Sequence, residues 1–228
     1  MTVKQINIDV PGKGSVSAVL AVPDRNGETE HTGVIIAHGA GNDMHSPLIV
    51  AVAGGLADAG HVNLRFNFPY KEHKKKSPDS QATLERTWQS AHYYLINNPH
   101  AAVSRIIAAG KSMGGRVAAQ MAAAGELDAS ALVFFGYPLH APGRTNRLRD
   151  AHLYDIKVPM LFFAGTRDPL CNMEKLRKVL SRLKVPVDLE TVEGGDHSFR
   201  LPKSSSRPSS AVHDQIVNKC IQWIESLI

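Results

Sequence analysis

Gly110-Lys111-Ser112-Met113-Gly114-Gly115 is the stretch from which the rest of the chain is read. Upstream, residues 104–110 carry Ile106, Ile107, Ala108 and Ala109, a short apolar run that predicts a buried strand. Downstream, residues 116–124 are rich in alanine and stop at Gly125, which predicts a helix. A serine at a sharp turn from buried strand to helix adopts a strained backbone, and its −2 and +2 neighbours must lack side chains so that the two elements can pass. This is the pattern of a nucleophile elbow, and it makes Ser112 the candidate nucleophile. A glycine-rich turn that only packs is the competing reading. The helix after the turn aims its first N–H groups at whatever negative charge develops beside the serine.

The 228 residues suit one α/β domain over 1–228, large enough to bury a core without disulfides or metals. There is no N-terminal apolar h-region and no apolar run of bilayer length, so a non-exported, cytoplasmic protein with no membrane contact is expected. Cys171 and Cys220 fall in predicted helices without metal-type spacing, and reduced packing thiols are expected. The net charge is +5, with much of the excess in Lys71-Glu72-His73-Lys74-Lys75-Lys76. A run this short reads as a solvated loop, and its functional alternative is steering of anionic partners. No nucleic-acid module surrounds it, so no nucleic acid is expected.

Residues 4–10 and 16–23 alternate apolar with polar around the turn Pro11-Gly12-Lys13-Gly14, as an antiparallel hairpin at a sheet edge does. Residues 24–32 are a polar connection. Strands are then predicted at 33–37, 62–66, 104–110, 130–135, 160–164 and 187–192. Helices are predicted at 47–59, 79–97 (capped by Asp79 or Ser80), 116–124, 173–183 and 211–227. This alternation argues a mostly parallel, doubly wound sheet with helices on both faces.

In such sheets the chemistry gathers at the carboxyl ends of strands. Asp168 follows the strand at 160–164, and His197 follows the strand at 187–192. With Ser112 they give the order serine, aspartate, histidine. Ser112 needs a base to become nucleophilic, an imidazole can take and return its proton, and a carboxylate can hold that imidazole in the right tautomer. Helix capping is the competing role for Asp168. An oxyanion hole would take one N–H from Met113 and a second from His38-Gly39-Ala40-Gly41, at Ala40 or Gly41. His38 is expected to hydrogen-bond within that loop. Phe68, Tyr70, Tyr137 and Leu139, with Pro138 and His140, are candidate substrate-lining residues, and packing in the core is an equal alternative for them.

The chain resembles the α/β-hydrolases through His38-Gly39-Ala40-Gly41, Gly110–Gly115, Gly165-Thr166-Arg167-Asp168 and Gly195-Asp196-His197-Ser198-Phe199. More narrowly, Arg65-Phe66-Asn67-Phe68-Pro69-Tyr70 and His197-Ser198-Phe199 resemble the small capless group related to dienelactone hydrolase. Dienelactone hydrolases proper carry a cysteine at the elbow, so Ser112 favours ordinary ester-type hydrolysis. Residues 136–159 are also too few for the helical lid that larger relatives insert, which implies an open site for small acyl groups. The resemblance implies an α/β-hydrolase fold without a cap, no metal or organic cofactor, and a small-molecule acyl substrate, in a monomer or homodimer. A non-catalytic interaction protein and a peptidase or amidase are the rival readings.

Overall fold

The computed structural model describes residues 1–24 and 31–227, so the connection expected over 24–32 falls largely outside them. Alternating side chains fold the N-terminus into β1 (Thr2–Val10) and β2 (Gly14–Val22), antiparallel, with Ile8 opposite Val16. The remaining strands are β3 (His31–Ala37), β4 (Val62–Phe66), β5 (Val103–Lys111), β6 (Ala131–Phe135), β7 (Met160–Gly165) and β8 (Val187–Val192). They form one eight-stranded sheet in the order β1-β2-β4-β3-β5-β6-β7-β8. Only the β1–β2 and β2–β4 pairs are antiparallel. The fold is that of an α/β-hydrolase, and residues 136–159 between β6 and β7 hold a single 3₁₀ turn, Ala151–Asp155, rather than a lid.

Among the described residues six helices cover the sheet: α1 (Pro47–Asp58), α2 (Pro69–Glu72), α3 (Gln81–Ile96), α4 (Met113–Ala124), α5 (Met173–Leu180) and α6 (Ser209–Glu225). The period-two geometry of a strand sorts the core into two layers. Val34 and Ile36 pack against Leu48, Ile49 and Val52 of α1 and Val212 and Ile216 of α6. Ile35 and Ala37 face the other way, toward Trp88 of α3, Val117 of α4 and Leu176 of α5. Each fully buried side chain of this kind contributes roughly 1.5–3 kcal/mol.

Three local departures from the sequence reading have physical causes. The helix after Ser112 starts at Met113, not at residue 116, because Gly114 and Gly115 serve tight packing inside its first turn. The one-turn helix α2 was not anticipated; Pro69 at its first position presets it within a stretch that reads as loop. Cys171 lies outside any helix, two residues before α5, whereas Cys220 is in α6 as expected. Among the described residues no helix is long and apolar enough to cross a membrane.

Helix α1 carries adjacent glycines in opposite surroundings. A Cβ on Gly55 would lie 2.2 Å from Cγ1 of Val217 on α6, whereas one on Gly54 would meet nothing within 4 Å. Gly54→Ala should therefore stabilise by up to about 1 kcal/mol through helix propensity. Gly55→Ala should destabilise by about 1–3 kcal/mol, since a β-branched neighbour cannot yield easily. Urea unfolding of both variants checks this; equal shifts would remove the steric argument for Gly55.

Candidate active site

The candidate site lies where the strand order reverses. From β3 the chain moves to β4 on one side and then to β5 on the other, so the loops leaving β3 and β5 diverge and open a crevice. Ser112 occupies the turn from β5 to α4 with φ 50° and ψ −110°. A non-glycine residue there is strained by about 1–3 kcal/mol, so its surroundings must hold it in place. Its N–H donates to the carbonyl of Phe135 at 3.1 Å, and its own carbonyl accepts from Arg116 at 3.0 Å.

The glycines around it provide the clearance. A Cβ on Gly110 would sit 2.3 Å from the nitrogen of Gly115, and one on Gly115 would sit 2.7 Å from the carbonyl oxygen of Gly110. Strand and helix are therefore in backbone contact. Gly114 makes an equally close approach to the β3 loop, where a Cβ would lie 2.7 Å from the carbonyl oxygen of His38. Any side chain at these positions would force apart the elements that carry Ser112.

Asp168 and His197 arrive from the two strands at the far side of the sheet. The loops after β7 and β8 are tied together, with Arg167 N–H donating to Gly195 and Gly194 N–H donating to the Thr166 hydroxyl. Gly165 lets them touch, since a Cβ there would lie 2.3 Å from the Gly195 carbonyl oxygen. Asp196 accepts from Ser198 and Arg200 N–H groups and so closes the turn that carries His197. The outcome is one chain of contacts. Nε2 of His197 lies 2.8 Å from Oγ of Ser112, and its Nδ1 lies 2.7 Å from Oδ2 of Asp168.

The carboxylate is 0 % exposed in its side chain, and the imidazole is 21 % exposed. Oδ1 of Asp168 accepts the Leu170 N–H at 2.7 Å, so both carboxylate oxygens have donors. Helix capping, the competing role for Asp168, is performed instead by Asn172, whose side chain accepts the Lys175 N–H. Likewise Ser80 stands at the N-cap of α3 but pairs with the Thr83 hydroxyl, while Asp79 accepts the Tyr70 N–H.

The loop after β3 is pinned from behind. Three donors converge on the carbonyl oxygen of Gly39: Nδ1 of His38 (2.8 Å), the N–H of Asn42 (3.2 Å) and the hydroxyl of Tyr70 (3.3 Å). In a trans peptide the next N–H points the opposite way, so the N–H of Ala40 is aimed away from this cluster. Tyr70 also donates to the Ala40 carbonyl at 2.8 Å, which orients the N–H of Gly41 by the same rule. A Cβ on Gly39 would lie 3.4 Å from Cβ of Ser112, so the loop stands directly beside the serine. Met113 is the first residue of α4, and its N–H lies outside the helical ladder.

The expected lining residues are placed differently. Phe68, Tyr70 and Leu139 are 0 % exposed and Tyr137 is 2 % exposed, so all four are packed in the core. Aromatic packing draws them inward: Phe68 meets His38 edge-on at 5.0 Å, and Tyr137 meets Phe134 edge-on at 5.4 Å. His140 is likewise structural, accepting the Asn172 N–H at Nε2. Lys111 had no anticipated role. It is buried, and its ammonium stands 5.9 Å from the centre of the Phe199 ring. Burial pushes it down to about 8, against the opposing charges of Asp168 and Asp196. Burial pushes the Cys171 thiol up to about 12, which removes it as a rival nucleophile near neutrality. Among the described residues no group of three or more His, Cys, Asp or Glu is placed to hold a metal ion.

His38 has one consistent tautomer. Its Nε2 accepts the Phe68 N–H at 3.1 Å, so the proton sits on Nδ1 and is donated to Gly39. Burial, foremost, lowers it from the ordinary 6.5 to about 4. The unfolded chain therefore binds this proton at a higher pH than the folded chain. Its stabilising contribution is full above about 6.5 and is lost as the pH falls toward 4, by about 3 kcal/mol in all. His38→Gln should flatten the fall in urea stability between these limits; identical pH slopes in both proteins would show that His38 is not the titrating group.

A family model described as an alpha/beta hydrolase domain matches residues 30–225. Among solved structures, the chain is similar to a dienelactone hydrolase from Anabaena variabilis, at 22% identity over 95% of each chain and a TM-score of 0.72. It is also similar to a lidless α/β serine hydrolase from Xanthomonas campestris, at 19% identity over 98% of this chain and 95% of that one, with a TM-score of 0.73. An esterase from Pyrococcus furiosus matches at 16% identity over 99% of this chain and 90% of that one, also at 0.73. With the family model spanning nearly all of β3 to α6, the chain belongs to the α/β-hydrolase family and has its lidless, dienelactone-hydrolase-like fold.

Proposed function

We propose that the protein is a serine hydrolase that cleaves a small ester or thioester through an acyl-serine intermediate. The observation that carries this reading is the unbroken contact chain from Ser112 Oγ through His197 to Asp168. Asp168 accepts a hydrogen bond from the Nδ1–H group of His197 and so fixes the tautomer in which Nε2 is free to take the serine proton. Oγ of Ser112 then attacks the carbonyl carbon, and its proton passes to His197. The oxygen that gains the electron pair meets the N–H of Met113 and, from the pinned loop, the N–H of Ala40. Gly41, one residue further from Gly39, is the less direct donor.

Collapse of this intermediate breaks the bond to the alcohol or thiol, which leaves with the proton from His197. Water then gives a proton to the same nitrogen and attacks the acyl-serine; the bond from the acyl carbon to Oγ breaks, Oγ takes that proton back from His197, and the acid is released. Residues 136–159 fold no lid over the serine, which supports small acyl groups over long lipid chains. Neutralised Cys171 supports Ser112 as the attacking group. Both free thiols are buried, which suits a reducing compartment, and we assign the activity to the cytoplasm.

A fluorophosphonate probe should label Ser112 in the native protein and fail on Ser112→Ala; absence of labelling in wild type would refute the assignment. Asp168→Asn should keep the fold and lower kcat by roughly 10³–10⁴, since it favours the wrong imidazole tautomer. Turnover of 4-nitrophenyl acetate, acetylpantetheine and a 4-nitroanilide, each with Ser112→Ala as the blank, separates ester, thioester and amide chemistry. Anilide turnover matching that of the ester would make the protein an amidase.

A further inference from the structure

The basic run that begins in α2 is exposed to solvent, as a solvated loop is, and it also borders a cavity. Lys71, Lys74, Lys75 and Lys76 line a cavity of about 460 Å³ whose remaining walls include Ala40, Gly41 and Asp43. The cavity therefore shares its wall with the loop beside Ser112. Consecutive Cα atoms are about 3.8 Å apart, so the Ala40 wall of the cavity stands within roughly 10 Å of the serine.

The lysines are held in register with that loop by a built framework. Tyr70 donates to the carbonyls of Gly39 and Ala40, and its ring lies 5.8 Å from the ammonium of Lys71. Asn67 accepts the Met44 N–H and donates to Glu72, which in turn accepts both donors of Ser17. Glu72 is thus held by Ser17 and Asn67 and is not among the residues that line the cavity. Lys74 has φ 54°, a left-handed conformation uncommon for a long side chain, and its N–H donates to Lys71 while that of Lys75 donates to Tyr70. Within the cavity the only carboxylate among these lining residues is Asp43, which also caps the turn at His45. Four lysines and one aspartate among the lining residues give a formal positive excess that one singly charged carboxylate ligand would not match.

We propose that this cavity binds a phosphate group on the part of the substrate that leaves, so that the preferred substrates are acyl esters or thioesters of a phosphorylated alcohol or thiol. The proposal rests on acyl transfer at Ser112 and gives that reaction its substrate class. Lysine suits the task as a point charge for phosphate, and a water-accessible cluster raises the local concentration of anions. The bond changes are those already given; the phosphate takes no part in them and only fixes the position of the acyl carbon.

The test has a catalytic arm and a binding arm. In the first, kcat/KM is compared within matched pairs, 1-acetylglycerol 3-phosphate against 1-acetylglycerol and acetyl-coenzyme A against acetylpantetheine. Wild type should favour the phosphorylated member of at least one pair by about tenfold. The first pair reports a short phosphorylated alcohol, and the second reports a long phosphorylated thiol. The preference should collapse toward one in Lys74→Gln, Lys75→Gln, Lys76→Gln combined, and also on raising ionic strength from about 0.05 M to about 0.5 M. In the second arm, inorganic pyrophosphate is titrated into Ser112→Ala by calorimetry. It should bind at low salt and weaken about tenfold or more when the three lysines are neutralised. No phosphate preference in either pair, or preference only for mono-4-nitrophenyl glutarate over 4-nitrophenyl butyrate, would overturn the proposal. So would tight binding of an oligonucleotide with no pyrophosphate binding. If Ser112 takes no fluorophosphonate, the acyl-transfer reading fails by itself, and the pyrophosphate titration still decides the cavity.

Discussion

The backbone crossing of Gly110 and Gly115 is the constraint on which the rest of this molecule depends. With no side chain at either position, β5 and α4 come into backbone contact, and Ser112 is left in a strained turn that points past the end of the sheet. The strain persists because the neighbours over-determine the turn: Phe135 accepts the serine's N–H, Arg116 donates to its carbonyl, and Gly114 presses against His38. Relaxing the serine would require β5, α4 and the β3 loop to separate, which the buried layers on both sheet faces oppose.

From that fixed point the site is completed by parts that share one physical device, a loop made rigid by converging hydrogen bonds. On one side, three donors on the Gly39 carbonyl fix the peptide plane beside Ser112. On the other, the paired loops after β7 and β8 set Asp168 and His197 in line with it. In the acyl transfer proposed above, a site prepared in this way would need little reorganisation as charge develops. The same hydroxyl of Tyr70 that pins the loop also connects it to α2, so the lysine cavity and the serine are parts of one assembly.

Much of this was legible before the fold was seen. Strand periodicity located all eight strands to within about two residues, because burial imposes the pattern at each position separately. The order of Ser112, Asp168 and His197 was readable because each follows a predicted strand, and strand ends in a parallel sheet gather along one edge. What local patterns misjudged were residues whose role depends on remote partners. Phe68, Tyr70, Tyr137 and Leu139 read as lining residues because they follow strands, yet the aromatic cluster around His38 and Phe134 draws them into the core. The helix read as starting at residue 116, although Gly114 and Gly115 lie in its first turn, because low helix propensity at glycine hides a start that close packing requires.

The sequence by itself determined the order of elements, the two-sided burial of the sheet and which residue types could do acid, base and nucleophilic work. These follow from local physics: side-chain period, backbone freedom at glycine and the chemistry of each group. Only the tertiary structure decided that Ser112, His197 and Asp168 stand 2.8 and 2.7 Å apart in one chain, that Asn172 rather than Asp168 caps α5, and that Tyr70 works from behind the site. The reason is that each of these is a distance between segments far apart in the chain, 85 residues in the case of Ser112 and His197. Such distances are set by how helices and strands pack, and no single stretch of residues encodes them.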